Sequence, residues 1–292
     1  MAEVLNLYLP DHLRQDHEAG KVNILSQLLA ALPDWQPVFH PEAEGLTQPH
    51  GGFGLTYMQE PRRLATLCLR RTYWYPFWRM ERTNERWNFE VAHKTPNYRR
   101  IPPRARAFHQ RLATRILDGR EFRREGFVFV PLQGRLSDHR SFQSMSPIAM
   151  LETLLERQPL PLKANLHPAE VYTEADHAAL ARLAAHPRFE LVSTPSGDLL
   201  AACDFVACQN SSLAFQAMIL GKGAMLFAGI DFHHPAGSVL RDGLDLALER
   251  GALPPEQMTE YLWWFLKQEA IDAQAEDAPA RIRSLLSARG WP

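Results

Sequence analysis

The chain has 292 residues, a formal net charge of −1 and 46% hydrophobic residues. These values are typical of a soluble globular protein with one large domain or two ordinary ones. The neutral charge balance argues against a nucleic-acid-binding protein, because such proteins carry an excess of basic residues. No apolar run approaches the roughly 18 to 20 residues of a membrane-spanning helix. The N-terminus lacks a basic region followed by an apolar one, so we expect no secretory signal.

The cysteines and one histidine pair are the residues to examine for a metal site. Cys68, Cys203 and Cys208 form no CxxC pair, and two of them lie in apolar surroundings. We interpret them as small core residues of a reduced, cytoplasmic protein. The adjacent histidines of DFHHP, residues 231–235, have no third ligand at metal-binding spacing. The sequence therefore predicts no metal site.

The first 120 residues show a loose pattern of strands and helices. EVLNLYL near the N-terminus predicts a strand, and EAGKVNILSQLLAAL, residues 18–32, predicts an amphipathic helix. QPVFH and GFGLTYM indicate further strands. The segment 70–94 is dense in aromatic residues and arginine and receives no assignment. PPRARAFHQRLATRILDG, residues 102–119, predicts a helix opened by prolines.

From about Gly126 the pattern becomes regular. Strands of about 4 to 8 residues alternate with helices of about 10 to 15, which implies βαβ units and a parallel sheet with helices on both faces. The polar segment 119–126 is bounded by glycines and is the predicted domain boundary. The last fifty residues are predicted to be helical. The predicted strands are 127–132, 160–167, 189–193, 204–209 and 224–229, and the predicted helices are 146–158, 173–186, 196–202 and 211–221.

These elements predict an α/β fold with two Rossmann-like domains. An N-terminal, acceptor-side domain would span 1–122. A C-terminal domain of residues 123–292 would bind a nucleotide-sugar and end in closing helices. Two such domains, with parallel sheets facing a cleft, correspond to the GT-B arrangement, although the pattern alone does not separate GT-B from other doubly wound folds.

A run of four polar residues stands between a predicted strand and a predicted helix. In an open parallel sheet, ligands bind beyond the carboxyl ends of the strands. A helix N-terminus exposes unpaired N–H groups with a partial positive charge, and Ser or Asn there caps the helix and can bind an anion. A plain cap needs one residue, so the run favours a phosphate-binding turn. Its members are Gln209, Asn210, Ser211 and Ser212.

Two further strand ends carry polar side chains at the same predicted edge. His167 follows one strand, where an imidazole can donate to a nucleotide phosphate; the alternative is a surface turn histidine. The loop after 127–132 supplies Gln133, Asp138, His139 and Arg140. The Asp138 carboxylate is the candidate general base for an acceptor hydroxyl, with a solvated loop residue as the alternative.

If Asp138 does not serve as the base, we expect the base in the N-terminal half. The acidic residues nearest the end of the first predicted strand are Asp11, Asp16 and Glu18.

The order VPLQ…D, then K…HP, then CDFV…NSS…FQA…GK resembles the capsule polysaccharide biosynthesis proteins, which include bacterial β-Kdo transferases. The resemblance covers about residues 127–234, with the closing helices. It implies a GT-B fold and a CMP-Kdo donor bound mostly by the C-terminal half. It also implies that His167, Ser211 and Ser212 hold the CMP and that Asp138 is the matching acidic residue of the PLQ segment.

Two positions differ from the family pattern. The family usually carries lysine two residues before the His-Pro histidine. This chain has Asn165 there, and Lys163 lies two residues farther back on the same predicted strand face. The family tends to carry glutamate in the helix after the serine pair, where this chain has Gln216, which can bond a ribose hydroxyl without a charge. Together with Gln133, these three residues complete the predicted donor-binding set.

The sequence thus predicts a glycosyltransferase that needs neither metal nor cofactor. It would move Kdo or another acidic sugar from a CMP donor to a bacterial surface polysaccharide or a lipid-linked glycan. Alternatives are a UDP- or GDP-sugar glycosyltransferase and a non-catalytic glycan- or nucleotide-binding partner in a polysaccharide synthesis complex. The expected location is the cytoplasm. YLWWFLK, residues 261–267, leaves open a peripheral contact with the inner membrane, but a helix packed on its own domain explains the run equally well.

Overall fold

A computed structural model describes residues 3–47 and 49–292. The chain divides into a first unit, Met1–Thr95 with Trp264–Pro292, and a second unit, Pro96–Trp263. In chain order the elements are β1 (Val4–Tyr8), α1 (Asp11–Glu18), α2 (Ile24–Ala31), β2 (Gln36–Phe39), α3 (Glu44–Thr47), β3 (Phe53–Tyr57), β4 (Thr66–Arg71), β5 (Phe77–Glu81), α4 (Arg104–Leu117), β6 (Val128–Leu132), α5 (Pro147–Arg157), β7 (Leu162–Leu166), α6 (Glu174–Leu183), β8 (Phe189–Leu191), α7 (Ser196–Ala202), β9 (Phe205–Cys208), α8 (Ser212–Ile219), β10 (Gly223–Leu226), β11 (Gly237–Ser238), α9 (Val239–Asp242), α10 (Leu244–Gly251), α11 (Met258–Trp263), β12 (Ile271–Asp272) and α12 (Ala278–Ala288).

The first unit contains a six-stranded mixed sheet in the order β12-β5-β4-β3-β1-β2. The strands β2, β1, β3 and β4 are parallel, whereas β5 runs antiparallel to both of its neighbours. Helices α2 and α12 pack against each other. The buried core of this unit includes Leu5, Leu7, Leu25, Leu28, Leu55, Leu67, Met80, Ile271, Ile282 and Leu286.

The predicted helix 18–32 is wrong in its first turn and a half. Helix α2 begins only at Ile24, because the Asn23 side chain accepts hydrogen bonds from the N–H groups of Leu25 (2.8 Å) and Ser26 (3.1 Å). An N-cap residue marks the start of a helix, so the residues before Asn23 do not belong to α2. Residues 11–18 form the separate helix α1, which the pattern did not predict.

The division of the chain differs from the predicted boundary between residues 122 and 123. The C-terminal segment joins the first unit because Ile271 of β12 pairs with Trp78 of β5. Helix α4 joins the second unit instead of the N-terminal domain. The imidazole of His109 on this helix lies 2.8 Å from Thr259 Oγ1 and 2.7 Å from the Ile219 carbonyl oxygen.

The second unit contains a six-stranded, fully parallel sheet in the order β11-β10-β9-β6-β7-β8. Every strand and helix predicted between 127 and 229 is present, with ends shifted by a few residues. Counted within the unit, the strand order is 6-5-4-1-2-3, so the connections reverse direction between β6 and β9. This is the Rossmann order, and ligands of such sheets bind at that reversal.

Helices cover both faces of this parallel sheet, as the alternating pattern predicts. Helices α5, α6 and α10 share one core with the sheet, whereas α4, α7, α8 and α11 contact one another. The buried residues of the shared core include Val128, Val130, Leu151, Leu154, Ala164, Leu180, Phe205 and Met225.

Helix α8 ends at Ile219, two residues before the predicted end at Gly221. Gly221 has φ of +77°, which favours glycine, and the Lys222 N–H donates to the Ala217 carbonyl at 2.9 Å. The Gly221 N–H donates to Met218 at 3.0 Å. This pair of bonds is a Schellman motif, which satisfies the last carbonyls of the helix and directs the chain into β10.

The apolar run 261–267 lies in the protein interior. Residues 261–266 are all buried. The Trp263 ring lies 5.9 Å from the Phe108 ring, and the Tyr261 ring lies 6.3 Å from the Phe215 ring. This burial agrees with the packed-helix alternative for the run. Within residues 3–47 and 49–292, no helix combines the length and apolarity needed to cross a bilayer.

The three cysteines occupy core positions, as predicted. Cys68, Cys203 and Cys208 are buried and carry free thiols. Burial raises the pKa of each thiol to about 12. Because the thiolate is the reactive form, these side chains act as small apolar residues at neutral pH.

Candidate functional site

Four loops of the second unit leave the sheet at one edge. They follow β7, β6, β9 and β10, which are neighbours in that order. Because all of these strands are parallel, their carboxyl ends meet at the same edge. We call this region the carboxyl edge and define it as residues 133–146, 167–173, 209–212 and 227–236.

The loop 133–146 lies across the end of β9 and reaches the loop after β10. The Ser144 N–H and hydroxyl both donate to the Phe227 carbonyl, at 2.7 and 2.8 Å. The Gly229 N–H donates to Phe142 at 2.8 Å. Beneath this loop, the Gln209 side chain is 4% exposed and donates from Nε2 to the Met145 carbonyl at 3.2 Å. Gln209 therefore fastens the loop, which leaves little of it to contact a ligand.

Of the other three residues of the polar run, Ser211 caps a helix, Asn210 is half-buried and Ser212 is exposed. Ser211 is the N-cap of α8 and accepts a hydrogen bond from the Leu213 N–H at 3.3 Å. Asn210 is half-buried and lies 3.4 Å from the Gly229 carbonyl oxygen. Ser212 is exposed at the first position of the helix. The plain-cap interpretation thus accounts for Ser211, whereas Asn210 and Ser212 present polar groups beside the N-terminus of α8.

His167 has a defined proton position. Its side chain is exposed, and its N–H extends the ladder by donating to the Leu132 carbonyl at 3.0 Å. The imidazole Nδ1 accepts a hydrogen bond from the Ala169 N–H at 3.2 Å. In the neutral ring the proton must therefore reside on Nε2. Nε2–H is then a donor at the carboxyl edge, as phosphate binding requires.

Arg140 is a cationic residue of the carboxyl edge for which the sequence pattern indicated no role. Its guanidinium makes no ion pair within 4 Å among the described residues and lies 4.9 Å from the Phe142 ring. Burial, followed by the charge of Arg135, lowers the pKa of Arg140. A half-buried guanidinium without a carboxylate partner is suited to binding an anionic ligand. The sequence feature that could have indicated this role is the position of Arg140 in the loop after β6, at the edge where ligands bind.

Asp138 lies in a turn of the same loop. Its carboxylate Oδ2 is 2.6 Å from Arg135 Nε, and both side chains are substantially exposed. Oδ1 has no hydrogen-bond partner in the part of the chain that is described. The ion pair orients the carboxylate and leaves one oxygen to accept a proton.

Two predicted donor-binding residues have their side chains engaged elsewhere. The Lys163 ammonium lies 4.5 Å from the Phe127 ring, at the amino end of β6. Lys163 precedes His167 by four residues, which places it about 13 Å from His167, toward the amino end of β7. Asn165 is 8% exposed and donates to Ser196 Oγ at 2.9 Å. The structure therefore does not bring Lys163 to the carboxyl edge, and it gives Asn165 a partner within the fold.

Gln133 and Gln216 keep their predicted positions near the reversal of strand order. Gln133 directly follows β6 and is half-buried, and Gln216 lies in the second turn of α8. Their contact with a donor stays a prediction. The alternative acidic residues lie on α1 of the first unit, where basic neighbours pair with them: Asp11 and Glu18 with Arg14, and Asp16 with Lys21.

Asp176 connects the loop 133–146 to helix α6. The carboxylate is 2% exposed and accepts hydrogen bonds from the Thr173 N–H and hydroxyl, at 3.0 and 2.9 Å. It also accepts from the Ser137 N–H at 3.2 Å. Burial raises the pKa of Asp176, but these hydrogen bonds outweigh it, and the pKa lies below its usual value. The sequence predicts a helix that begins at Thr173, whereas the bond to Ser137 was not predicted.

Replacing Asp176 by asparagine should destabilise the protein by about 1 to 3 kcal/mol at pH 7, because buried N–H donors lose a charged acceptor. A depressed carboxyl pKa contributes stability above the unfolded value near 3.9 and loses it as the pH falls through the folded value. The difference between the variant and the parent should therefore shrink at pH 3.5. Urea unfolding at both pH values measures it, with Glu174→Gln in the same helical turn as the exposed control. An equal difference at both pH values would contradict this account.

Comparison with known proteins adds to this geometry. No protein-family description matches the chain, and no curated protein does. Among solved structures, Thermosulfurimonas dismutans KpsC, beta Kdo 2,4 transferase, covers 89% of this chain and 89% of its own, with a TM-score of 0.51 and 14% identity. The chain has the fold of a β-Kdo transferase. KpsC, beta Kdo 2,7 transferase, from the same organism covers 97% of this chain and 99% of its own, with a TM-score of 0.49 and 14% identity.

The β-Kdo transferase fold confirms the resemblance drawn from the sequence motifs at the level of architecture. It also confirms the predicted α/β class with two Rossmann-like parts, because each unit carries a sheet that is largely or wholly parallel. His167, Arg140, Asp138 and Ser212 all lie in segments that follow strands at the carboxyl edge of the second unit.

Proposed function

We propose that the chain is a glycosyltransferase that binds a CMP-linked acidic sugar, with Kdo as the leading candidate, at the carboxyl edge of its second unit. The acceptor is a bacterial surface polysaccharide or its lipid-linked precursor. The observation that carries the proposal is that three anion-binding groups follow strands β6, β7 and β9 at the same edge of the parallel sheet. These groups are the His167 Nε2–H, the Arg140 guanidinium and the capped N-terminus of α8. The names of the similar structures support the choice of sugar.

The two anionic groups of the donor match these partners. The phosphate of CMP lies beside the α8 N-terminus, where N–H groups and the helix dipole favour negative charge. Arg140 pairs with the second anionic group, the carboxylate of the acidic sugar. His167 donates to the phosphate oxygens, whose charge grows as the bond from the sugar to the phosphate breaks.

Transfer then requires one proton acceptor. The acceptor hydroxyl oxygen forms the new bond to the anomeric carbon while the phosphate oxygen leaves with its electron pair. The hydroxyl proton passes to Oδ1 of Asp138, whose other oxygen is held by Arg135. In this scheme the charge on departing CMP is stabilised by the His167 Nε2–H and the helix dipole, so the step needs no metal ion.

Replacing His167 by alanine should weaken CMP binding by about 10- to 100-fold, because a hydrogen bond to a charged group contributes about 1.5 to 3 kcal/mol. The melting temperature should not change, because the side chain is exposed. Isothermal titration calorimetry with CMP and thermal unfolding measure the two quantities. His186→Ala is the matched control. Its Nδ1 accepts from the Arg188 N–H at the same 3.2 Å, but it precedes β8 and so lies at the opposite, amino edge of the sheet.

The same assay with CMP, UDP and GDP separates the alternatives. Preference for UDP or GDP would replace the CMP-sugar by another donor. Nucleotide binding without sugar transfer or donor hydrolysis would identify a non-catalytic binding partner. If His167→Ala binds every nucleotide as the parent does, His167 is a surface turn residue and the proposed phosphate contact is wrong.

A further inference from the structure

A group of polar side chains lies on one face of the sheet in the first unit. These residues are distant in sequence from the residues of the carboxyl edge. Asn6 and Tyr8 alternate along β1, so their side chains point to the same face. His40 follows β2 beside Tyr8, and the two rings stack at 5.0 Å. The connection 40–52 from β2 to β3 must pass over β1, because β1 lies between them in the sheet.

The hydrogen bonds of Asn6 determine the protonation of His40. Asn6 Nδ2 donates to the carbonyls of Gly51 (2.9 Å) and Phe53 (3.2 Å), so its Oδ1 is the atom that lies 2.8 Å from His40 Nε2. In the neutral imidazole, Nε2 must therefore carry the proton, which leaves a lone pair on Nδ1. Nδ1 faces Glu44 Oε2 at 3.9 Å, too far for a hydrogen bond. A nitrogen lone pair and a carboxylate oxygen thus face one another with a gap that a cation would bridge.

His50 brings a third ligand to the same place. Its ring stacks on the His40 ring, with centroids 3.9 Å apart and an angle of 16°. The His50 backbone N–H donates to the Tyr8 hydroxyl at 2.6 Å, and the ring Nδ1 of His50 lies 3.2 Å from the same hydroxyl. One ligand atom each from His40, Glu44 and His50 lie within 4.8 Å of one another.

We propose that His40, Glu44 and His50 bind one divalent transition-metal ion of the Zn²⁺ class. Two imidazoles and a carboxylate form a known zinc ligand set that leaves a coordination position open. Imidazole ligands favour transition metals over Mg²⁺ and Ca²⁺, which prefer oxygen. Asn6 supplies the outer partner that metal-binding histidines require, because the His40 Nε2–H donates to its carbonyl.

The ion fastens the connection 40–52 to β1. The histidine ligands come from both ends of this connection, and Glu44 comes from the short helix α3 within it. His50 is exposed, so solvent reaches this part of the ligand set. The sequence predicted no metal site because only the fold brings His50 beside His40. The proposal is independent of the nucleotide chemistry, since all three ligands belong to the other unit.

The test titrates Zn²⁺ into the full-length chain, stripped of metal by a chelator and carrying no polyhistidine tag. We expect one ion per chain by isothermal titration calorimetry. His50→Ala and Glu44→Gln should each weaken the affinity by more than about 100-fold, because loss of an outer partner alone costs about 10- to 100-fold. Glu42→Gln, in the same connection but outside the ligand set, should bind like the parent. Circular dichroism checks that each variant is folded. Because His50 is exposed, His50→Ala should disturb the fold less than Glu44→Gln.

Co²⁺ provides a readout of the ligands themselves. Visible absorption bands of a nitrogen-containing, low-coordinate site should appear with the parent and with Glu42→Gln and should be lost in His50→Ala. Absence of stoichiometric binding to the parent, or equal affinity in His50→Ala and the parent, would overturn the proposal. The three side chains would then be a stacked histidine pair beside a carboxylate.

Discussion

Replacing Asp138 by asparagine is expected to lower the rate of sugar transfer by about 10² to 10⁴-fold, the usual contribution of a general base. Donor affinity should stay unchanged. Asparagine has nearly the same shape as aspartate but cannot take up a proton near neutral pH. The expectation follows from the position of the carboxylate, which Arg135 holds through Oδ2 while Oδ1 stays available at the carboxyl edge.

Donor binding and single-turnover transfer should be measured on the same Asp138→Asn protein, once an acceptor is known. Arg135→Gln is the control, because it removes the ion pair and keeps the carboxylate. We expect it to retain transfer to within about tenfold, since orientation alone is disturbed. Transfer by Asp138→Asn within about threefold of the parent would show that Asp138 is a solvated loop residue, because a general base contributes far more. The base would then be sought among Asp11, Asp16 and Glu18 on α1.

Replacing Gly223 by alanine is expected to destabilise the chain by more than about 3 kcal/mol, at the upper end of the cost of overpacking. Helix α10 approaches β10 so closely that an added Cβ would overlap the Gly251 carbonyl oxygen. It would also lie 2.9 Å from the Ala252 carbonyl carbon and 3.0 Å from the Leu253 oxygen. All three are backbone atoms, which cannot rotate aside as a side chain can.

Urea unfolding of Gly223→Ala against the parent measures this effect. Gly51→Ala is the matched control. Within 4 Å, and among the residues that the structure describes, an added Cβ there would meet only Arg63 Nη2, at 3.9 Å, so the change should stay within about 0.5 kcal/mol. A loss below about 1 kcal/mol for Gly223→Ala would mean that α10 moves away from the sheet at little cost.

The regular half of the chain could be predicted closely because its signals are local. Thr173 with Asp176, Ser146 and Ser211 cap helices through bonds that span two or three residues. Gly221 ends α8 by bonds of similar reach. Strand alternation with helices then implies a parallel sheet, and a parallel sheet places His167 and Ser211 at one edge. These parts of the site were therefore predictable.

The partners of several side chains depend on residues distant in sequence. Gln209 is buried because the loop after β6 passes over β9, so that Met145 becomes its acceptor. Asn165 donates a hydrogen bond to Ser196, although helix α6 and strand β8 separate the two residues in the sequence. No pattern within either segment predicts such a partner, since each arises from where another segment crosses. The predicted ligand role of both residues came from their position alone.

What the sequence by itself determined is the set of helices and strands of the second unit, the common sheet edge of the residues predicted to bind a nucleotide, and the likeness in fold to β-Kdo transferases. Only the tertiary structure decided that a two-residue strand at Ile271 completes a sheet begun at Val4, and that His50 stacks on His40. The reason is the range of the interactions. Caps, turns and alternation act within a few residues, whereas β12 and the histidine pair form only after loops have closed, and their formation depends on how the whole core packs.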